Sequence, residues 1–498
     1  LRPFSWGSSC VVIASGVALS SPAQAVEAEV RSTAAAQGYA VTSPWGSITT
    51  TRQRFLETLT LGVYGIEGGT PAAGAPELSV KLRLRLDADA GIKKGETTYT
   101  PDADGFIPGL SATPVDLMYG YLEGRNLLKG WLGFRLGRQY VSDVIGWWSF
   151  DGAMVRVTTP FYLQIEAYGG LEQRGGLPLS TSRYEQQGIW RGSRSGIPGN
   201  VYPQFQQASI APAYGVALES AGPTWIHGRL DYRKVINTGS ATTAQFLPDP
   251  VTGEYAKFTG SRTSSERVGY AMDASADKIG GVKAGIMYDL YNGYVGNGYA
   301  GVDFYAAPHI TFGADYDYYK PTFDGDSIFN FFDHNAMNTM LGRVAIEPSN
   351  VVDFAISGGA RRYATSGDPN DAAADADGRV AGADGLANFN ARYRYSNGNA
   401  GITGMVQTGD RGHREGADVY AEQRWLGSRW MTQQRVSLYD WKDELRPDRS
   451  ATSFGYVVGG GFRPFEAAQA MLQWEHNMNR IAGQRFRILA VLNIAVGK

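Results

Sequence analysis

Cysteine is nearly absent: Cys10 is the only one in 498 residues. It lies in the N-terminal segment, so the rest of the chain has no thiol. That excludes disulfides, cysteine–zinc sites and cysteine nucleophiles there. Histidine is almost as scarce. The five, His227, His309, His334, His413 and His476, are scattered singly, with no pair at helical ligand spacing, which leaves no zinc motif. No run of about 18 apolar residues follows the N-terminus, so spanning helices are excluded. An excess of one charge is missing too. Lys plus Arg total 46 and Asp plus Glu 48, a net charge of −2, which argues against a dedicated nucleic-acid partner but not against local basic patches. Neither a phosphate-binding glycine loop nor a nucleophile elbow occurs. No cofactor is implied. A hydrolase would have to recruit His334 beside Asp333 or His476 beside Glu475, and nothing prefers either; a hydrolase is therefore the least favoured reading.

What the chain does contain is alternation. Near its end Phe486, Ile488, Ala490, Leu492, Ile494 and Val496 share one face, while Arg485, Arg487 and Asn493 share the other. Leu82, Leu84 and Leu86 oppose Lys81, Arg83, Arg85 and Asp87 in the same way, and Phe312, Ala314 and Tyr316 oppose Asp315 and Asp317. A period of two means strands with one apolar and one polar face. Such segments recur near 54–64, 76–88, 115–125, 131–139, 152–158, 162–169, 212–220, 224–234, 266–276, 281–290, 298–306 and 309–319. They continue near 339–347, 351–361, 386–396, 399–408, 416–425, 429–439, 452–462, 466–476 and 484–496.

The connections alternate as well. Tight ones carry turn residues, among them Thr159-Pro160, Asn397-Gly398 and Gly427-Ser428. Long ones cover 89–114, 170–211, 235–265, 320–338, 362–385 and 440–451. A meander of this length must close or split, and closure removes its edges. The expected fold is all-β: a transmembrane up-and-down antiparallel β-barrel of about 18–22 strands, with short periplasmic turns and long extracellular loops. The segments above number one short of an even barrel, so a strand is missing before Arg54 or two segments are one. The content of 64 glycines and 12% aromatics fits a barrel wall with interfacial Trp and Tyr.

Residues 1–25 read as a secretory signal peptide, with Arg2, an interrupted apolar run at 11–19 and the cleavage pattern Ala23-Gln24-Ala25. Residues 26–53 read as an N-terminal periplasmic segment and 54–498 as the barrel, exported to a bacterial outer membrane. Outer-membrane lipid and the barrel-assembly machinery are then its expected partners.

One local pattern is more specific. Gly137-Arg138-Gln139 ends a strand, Phe150-Asp151-Gly152 opens the next, and Trp147 and Trp148 stand between them. This resembles the GRQ…FDG signature of alginate-export-type outer-membrane porins. The resemblance implies a large monomeric barrel with a charged lumen, and in that family a namesake that exports an anionic polysaccharide.

With apolar faces against lipid, the polar faces become the pore lining. Lys81, Arg83, Arg85, Arg135, Arg156, Arg392, Arg394, Arg424, Arg435, Arg485 and Arg487 form an expected basic path, opposed by Asp273, Asp289, Asp303, Asp315 and Asp317. An arginine ladder suits carboxylate or phosphate groups. The competing explanation is that lumen Arg and Asp pair across strands and only stiffen the wall. Arg138 is out of phase and expected at the membrane edge or as an anchor. The aromatic segment 321–332 is the expected inward-folding constriction. Asp371, Asp375 and Asp377 offer hard oxygen ligands without EF-hand spacing. The expected function is passive diffusion of small solutes, anionic ones included; the alternatives are an export conduit for an anionic exopolysaccharide and, less favoured, an outer-membrane hydrolase.

Overall fold

The computed structural model describes residues 26–42, 49–68, 74–89, 115–173, 211–238, 241–242, 257–258, 260–323, 335–364, 382–442, 450–480 and 483–497. The first strands are β1 (Glu27–Thr42), β2 (Thr49–Tyr64), β3 (Glu77–Asp89), β4 (Val115–Asn126), β5 (Leu132–Asp143), β6 (Gly146–Thr158), β7 (Leu163–Glu172), β8 (Pro212–Ser220) and β9 (Ile226–Asn237). A two-rung hairpin, β10 (Ala241–Thr242) and β11 (Lys257–Phe258), stands apart. Then come β12 (Arg262–Ala276), β13 (Gly280–Asp289), β14 (Tyr294–Ala307), β15 (Ile310–Tyr319), β16 (Met337–Ser349), β17 (Val352–Tyr363) and β18 (Gly382–Tyr395). The last are β19 (Gly398–Gly409), β20 (Gly412–Trp425), β21 (Trp430–Lys442), β22 (Ala451–Phe465), β23 (Ala468–Asn479) and β24 (Gly483–Gly497).

Apart from β10 and β11, each strand pairs antiparallel with its sequence neighbour, and β1 pairs with β24 to close a 22-stranded sheet. The registers keep the sequence alternation intact around the wall. Val30, Leu61, Leu82 and Gly120 follow one another from β1 to β4 on the outer face, while Lys81 opposes Tyr121 on the inner face. Connections of two to five residues join most strands at one rim, which we term the short-turn rim; the long connections cluster at the other.

At the short-turn rim the exposed aromatics Trp131, Phe161, Tyr162, Trp225, Trp425 and Trp430 form a girdle, and Tyr140, Tyr214, Tyr288 and Tyr316 mark a second toward the long-loop rim. Between them the outer face is mostly Val, Leu, Ile, Phe, Ala and Gly, with Tyr270 and Met340 among them and Arg138 and Asp151 as a charged exception. Two aromatic girdles around an apolar band are the profile of a wall standing in lipid.

The segment 26–53 is a correction. It was expected to lie outside the barrel, but β1 occupies most of it and supplies the missing strand. Alternation hides there because Ala34, Ala35, Ala36, Gln37 and Gly38 do not separate into apolar and polar faces. Pairing with β24 on one side and β2 on the other makes this stretch a strand. Residues 1–25, the expected signal peptide, lie outside the described residues, as do Asp371, Asp375 and Asp377 and most of the aromatic segment 321–332.

Candidate pore and constriction

The short connection between β5 and β6 does something its neighbours do not. The ladder from β4 to β5 stops at Arg138, and that from β6 to β7 starts at Phe150, but β5 and β6 stay paired with each other up to Asp143 and Gly146. The hairpin therefore outruns the wall at the long-loop rim and leans inward. Its tip is buried, with Ile145 only 3% exposed. Val144 and Ile145 lie against Gly269 on the inner face of β12, past β7, β8 and β9. Arg233 of β9 holds the tip, with Nη2 donating to the Gly146 carbonyl (3.4 Å), Nη1 3.5 Å from Asp143 and its guanidinium over the Trp148 ring.

An apolar cluster fills the space between hairpin and wall. Val141, Trp148, Phe150 and Met154 pack with Tyr168, Ala213 and Val235, and Phe150 is fully buried. Trp148 stacks on Phe150 with centroids 4.4 Å apart. Burying these side chains on the inner face of a barrel favours a fixed hairpin over a mobile one. The seat reverses the usual order of a pore wall, placing apolar residues inside, and it narrows the lumen on this side.

The tripeptides Gly137-Arg138-Gln139 and Phe150-Asp151-Gly152 meet as cross-strand partners at the root of this hairpin: Gly137 faces Gly152, Arg138 faces Asp151, and Gln139 faces Phe150. Gly137 has φ 127°, and a Cβ there would collide with the Gly120 carbonyl, so no other residue fits. Gln139 is fully buried, and its Nε2 donates to the Gly152 carbonyl at 3.1 Å. Arg138 lies on the outer face, in keeping with its phase in the sequence. It grips Asp151 with Nε and Nη2 (2.6 and 2.8 Å), and its Nη1 donates to the Leu117 carbonyl at 3.0 Å. Arg138→Leu should destabilise the barrel by about 2–4 kcal/mol by leaving a carboxylate facing the apolar band. Urea unfolding in lipid vesicles reads this, and the double change with Asp151→Leu should regain most of the loss. Equal losses from single and double changes would refute the pairing account.

Every sequence-predicted lining residue lies on the inner face, but the acids and bases do not form separate walls. Lys81, Arg125 and Arg135 converge on Glu123, which is buried (2.7–2.8 Å). Arg156 and Arg229 share Glu166 (2.7 and 2.9 Å), and Arg229 reaches on to Glu219 and Asp231. His227 stands between Glu219 and Asp273. Arg392 and Arg394 share Asp353, Arg435 binds Asp418, Arg424 binds Glu422, and Arg487 binds Glu475.

The expected acidic wall is corrected by the same geometry. Asp289 pairs with Arg267, Arg343 spans Asp303 and Asp315, and Lys283 also reaches Asp315. Sequence reasoning had not selected Glu123, Glu166, Arg229, Arg267, Arg343 or Asp353. Their signal was present: each is a charge in inner-face phase, and Glu123, Glu166, Arg267 and Asp353 stand directly opposite Arg135, Arg156, Asp289 and Arg392. Arg83, Arg485 and Asp317 keep no hydrogen-bond or ion-pair partner among the described residues, and the two arginines stand on β3 and β24, near the closing seam.

No model of a known protein family matches this chain, and no curated protein matches it. The resemblance to alginate-export-type porins therefore extends no further than the two tripeptides. Among solved structures, Acinetobacter baumannii OccAB1 is similar over 95% of this chain and 96% of its own, with 10% identity and a TM-score of 0.40. Pseudomonas aeruginosa OccK5 (OpdH) gives 8% identity, 95% and 98% coverage and a TM-score of 0.42. The P pilus usher (PapC) translocation pore gives 10% identity, 94% and 99% coverage and a TM-score of 0.42.

Proposed function

We propose that this chain is an outer-membrane channel for passive diffusion of small solutes, selected by charge at the lumen wall and by size at the β5–β6 hairpin. The observation that carries this reading is the closed 22-stranded ladder, apolar outside and charged inside. A wall of that polarity is at equilibrium only with lipid around it and water within. The short-turn rim then faces the periplasm and the long-loop rim the exterior. No reaction is required of any side chain: the inner arginines and carboxylates hold one another in place, and solutes exchange with the exposed ones.

Anion preference follows from the seam, where Arg83 and Arg485 have no acidic partner among the described residues. Planar-bilayer recording tests both parts. A stable ohmic conductance is expected, with anions favoured, and Arg83→Glu together with Arg485→Glu should reverse the preference. A folded barrel that carries no current would refute the channel. Selectivity indifferent to the double change would refute the seam. Export of an anionic polysaccharide gains no support, because an unbroken track of free cations is what it needs and most of these cations are paired.

A further inference from the structure

We propose that the barrel wall has a lateral portal between β4 and β5, through which small uncharged aromatic molecules pass from the lumen into the outer leaflet of the membrane. This goes beyond the channel reading, which moves polar solutes along the barrel axis.

The portal follows from the departure of the β5–β6 hairpin. β4 and β5 share five rungs, from Gly124–Phe134 to Gly120–Arg138, fewer than any other neighbouring pair in the 22-stranded sheet. On its other side β4 stays paired with β3 up to Val115. The upper edge of β4, 115–119, therefore has a strand on one side and, among the described residues, none on the other. The hairpin that would have covered it rests instead on the inner face of β12, with Val144 and Ile145 against Gly269. This open edge stands at the level of the girdle that Tyr140 marks. Lipid offers its backbone no hydrogen bonds, so an edge there is tolerated only beside water or protein. One carbonyl is satisfied locally: Arg138 Nη1 donates to the Leu117 carbonyl at 3.0 Å, where the ladder has ended. That contact gives the charged pair Arg138–Asp151 a reason to sit on the outer face, at the sill of the opening.

Four rings line the gap in steps. Trp147 and Tyr140, in outward phase on the hairpin, stack with centroids 5.9 Å apart. Tyr140 meets Tyr119 of β4 at 5.9 Å, and Tyr119 meets Tyr121 at 5.8 Å, both in inward phase. Together they make an aromatic track from the outer face to the inner one, and a further ring can exchange edge and face contacts along it. The cations beside the track are committed, Arg138 to Asp151 and Arg135 to Glu123. An anion therefore gains no counter-charge from either, and a neutral, ring-bearing molecule is the solute that fits.

The test uses the full chain, carrying Cys10→Ser, in the outer membrane of Gram-negative cells. The probe is N-phenylnaphthylamine, a neutral dye that fluoresces once it reaches a membrane interior. Dye entry should be several-fold faster than in cells without the chain. Tyr119→Cys with Tyr140→Cys, joined by a short bis-methanethiosulfonate bridge, should return entry to that background, and reduction should restore it. Conductance in planar bilayers should keep its parental value throughout. If the paired variant fails to fold, Tyr140→Ala decides, since the widened gap should speed dye entry several-fold without altering ion selectivity. Parent entry at background, entry that survives the bridge, or entry unchanged by Tyr140→Ala would overturn the portal. So would joint loss of dye entry and current on bridging, because it would put the dye on the barrel axis. A barrel that carries no current yet shows bridge-sensitive dye entry defeats the channel reading alone.

Discussion

Joining Tyr140 to Ser149 through Asn-Gly, in place of residues 141–148, should raise single-channel conductance roughly threefold. The two residues are already cross-strand partners, so a two-residue primed turn closes the shortened hairpin without disturbing the ladder below. What disappears is the inward tip, with Val141, Ile145 and Trp148, and with it the contact on Gly269. The effect should be large because resistance concentrates where the cross-section is smallest. Phe150 and Met154 lose their cover in the same variant, so a fall in unfolding stability is expected alongside. Bilayer recording gives the conductance, and urea unfolding the stability. Conductance unchanged in a folded variant would place the constriction elsewhere.

The second large effect is electrostatic. Glu123→Gln removes the carboxylate on which Lys81, Arg125 and Arg135 converge. Glu123 is only 3% exposed, so water cannot replace it fully, and the loss should be about 3–5 kcal/mol. The three freed cations should also raise the anion-to-cation permeability ratio about two- to fivefold, an effect that screening at high salt should reduce. Replacing Asp317, which has no partner among the described residues, by Asn should cost little stability by comparison. If Glu123→Gln and Asp317→Asn were equally mild, pairing would not be what holds this wall.

Most of the barrel was legible because its physics repeats at every strand. Alternation at Leu82 to Arg85 or Phe486 to Arg487 states which side meets lipid, and no partner is needed to read it. β1 shows the limit, since a stretch of Ala, Gln and Gly becomes a strand only through β2 and β24. The pore lining was half legible. Inner-face phase selected Arg135 and Arg156 correctly as inward residues, but a single strand does not say which neighbour sits across from it. Register supplies Glu123 and Glu166, and with them the change from an open ladder to a set of closed pairs. The β5–β6 constriction was missed for a different reason. An aromatic loop such as 321–332 advertises itself by composition, whereas the β5–β6 connection is only two residues long. Its clue was the apolar pair Val144-Ile145 at a tip where turns are usually polar.

Closure by β1 and β24 has a consequence for biogenesis. The strand synthesised first must wait, unpaired on one edge, until the strand synthesised last arrives. Closing over that separation is entropically slow, and exposed edges recruit other chains in the meantime. The bland composition of β1, poor in large β-branched and aromatic residues, gives that waiting edge little to aggregate with. The property that conceals β1 from sequence pattern also suits it to be the latch that engages at the end of assembly.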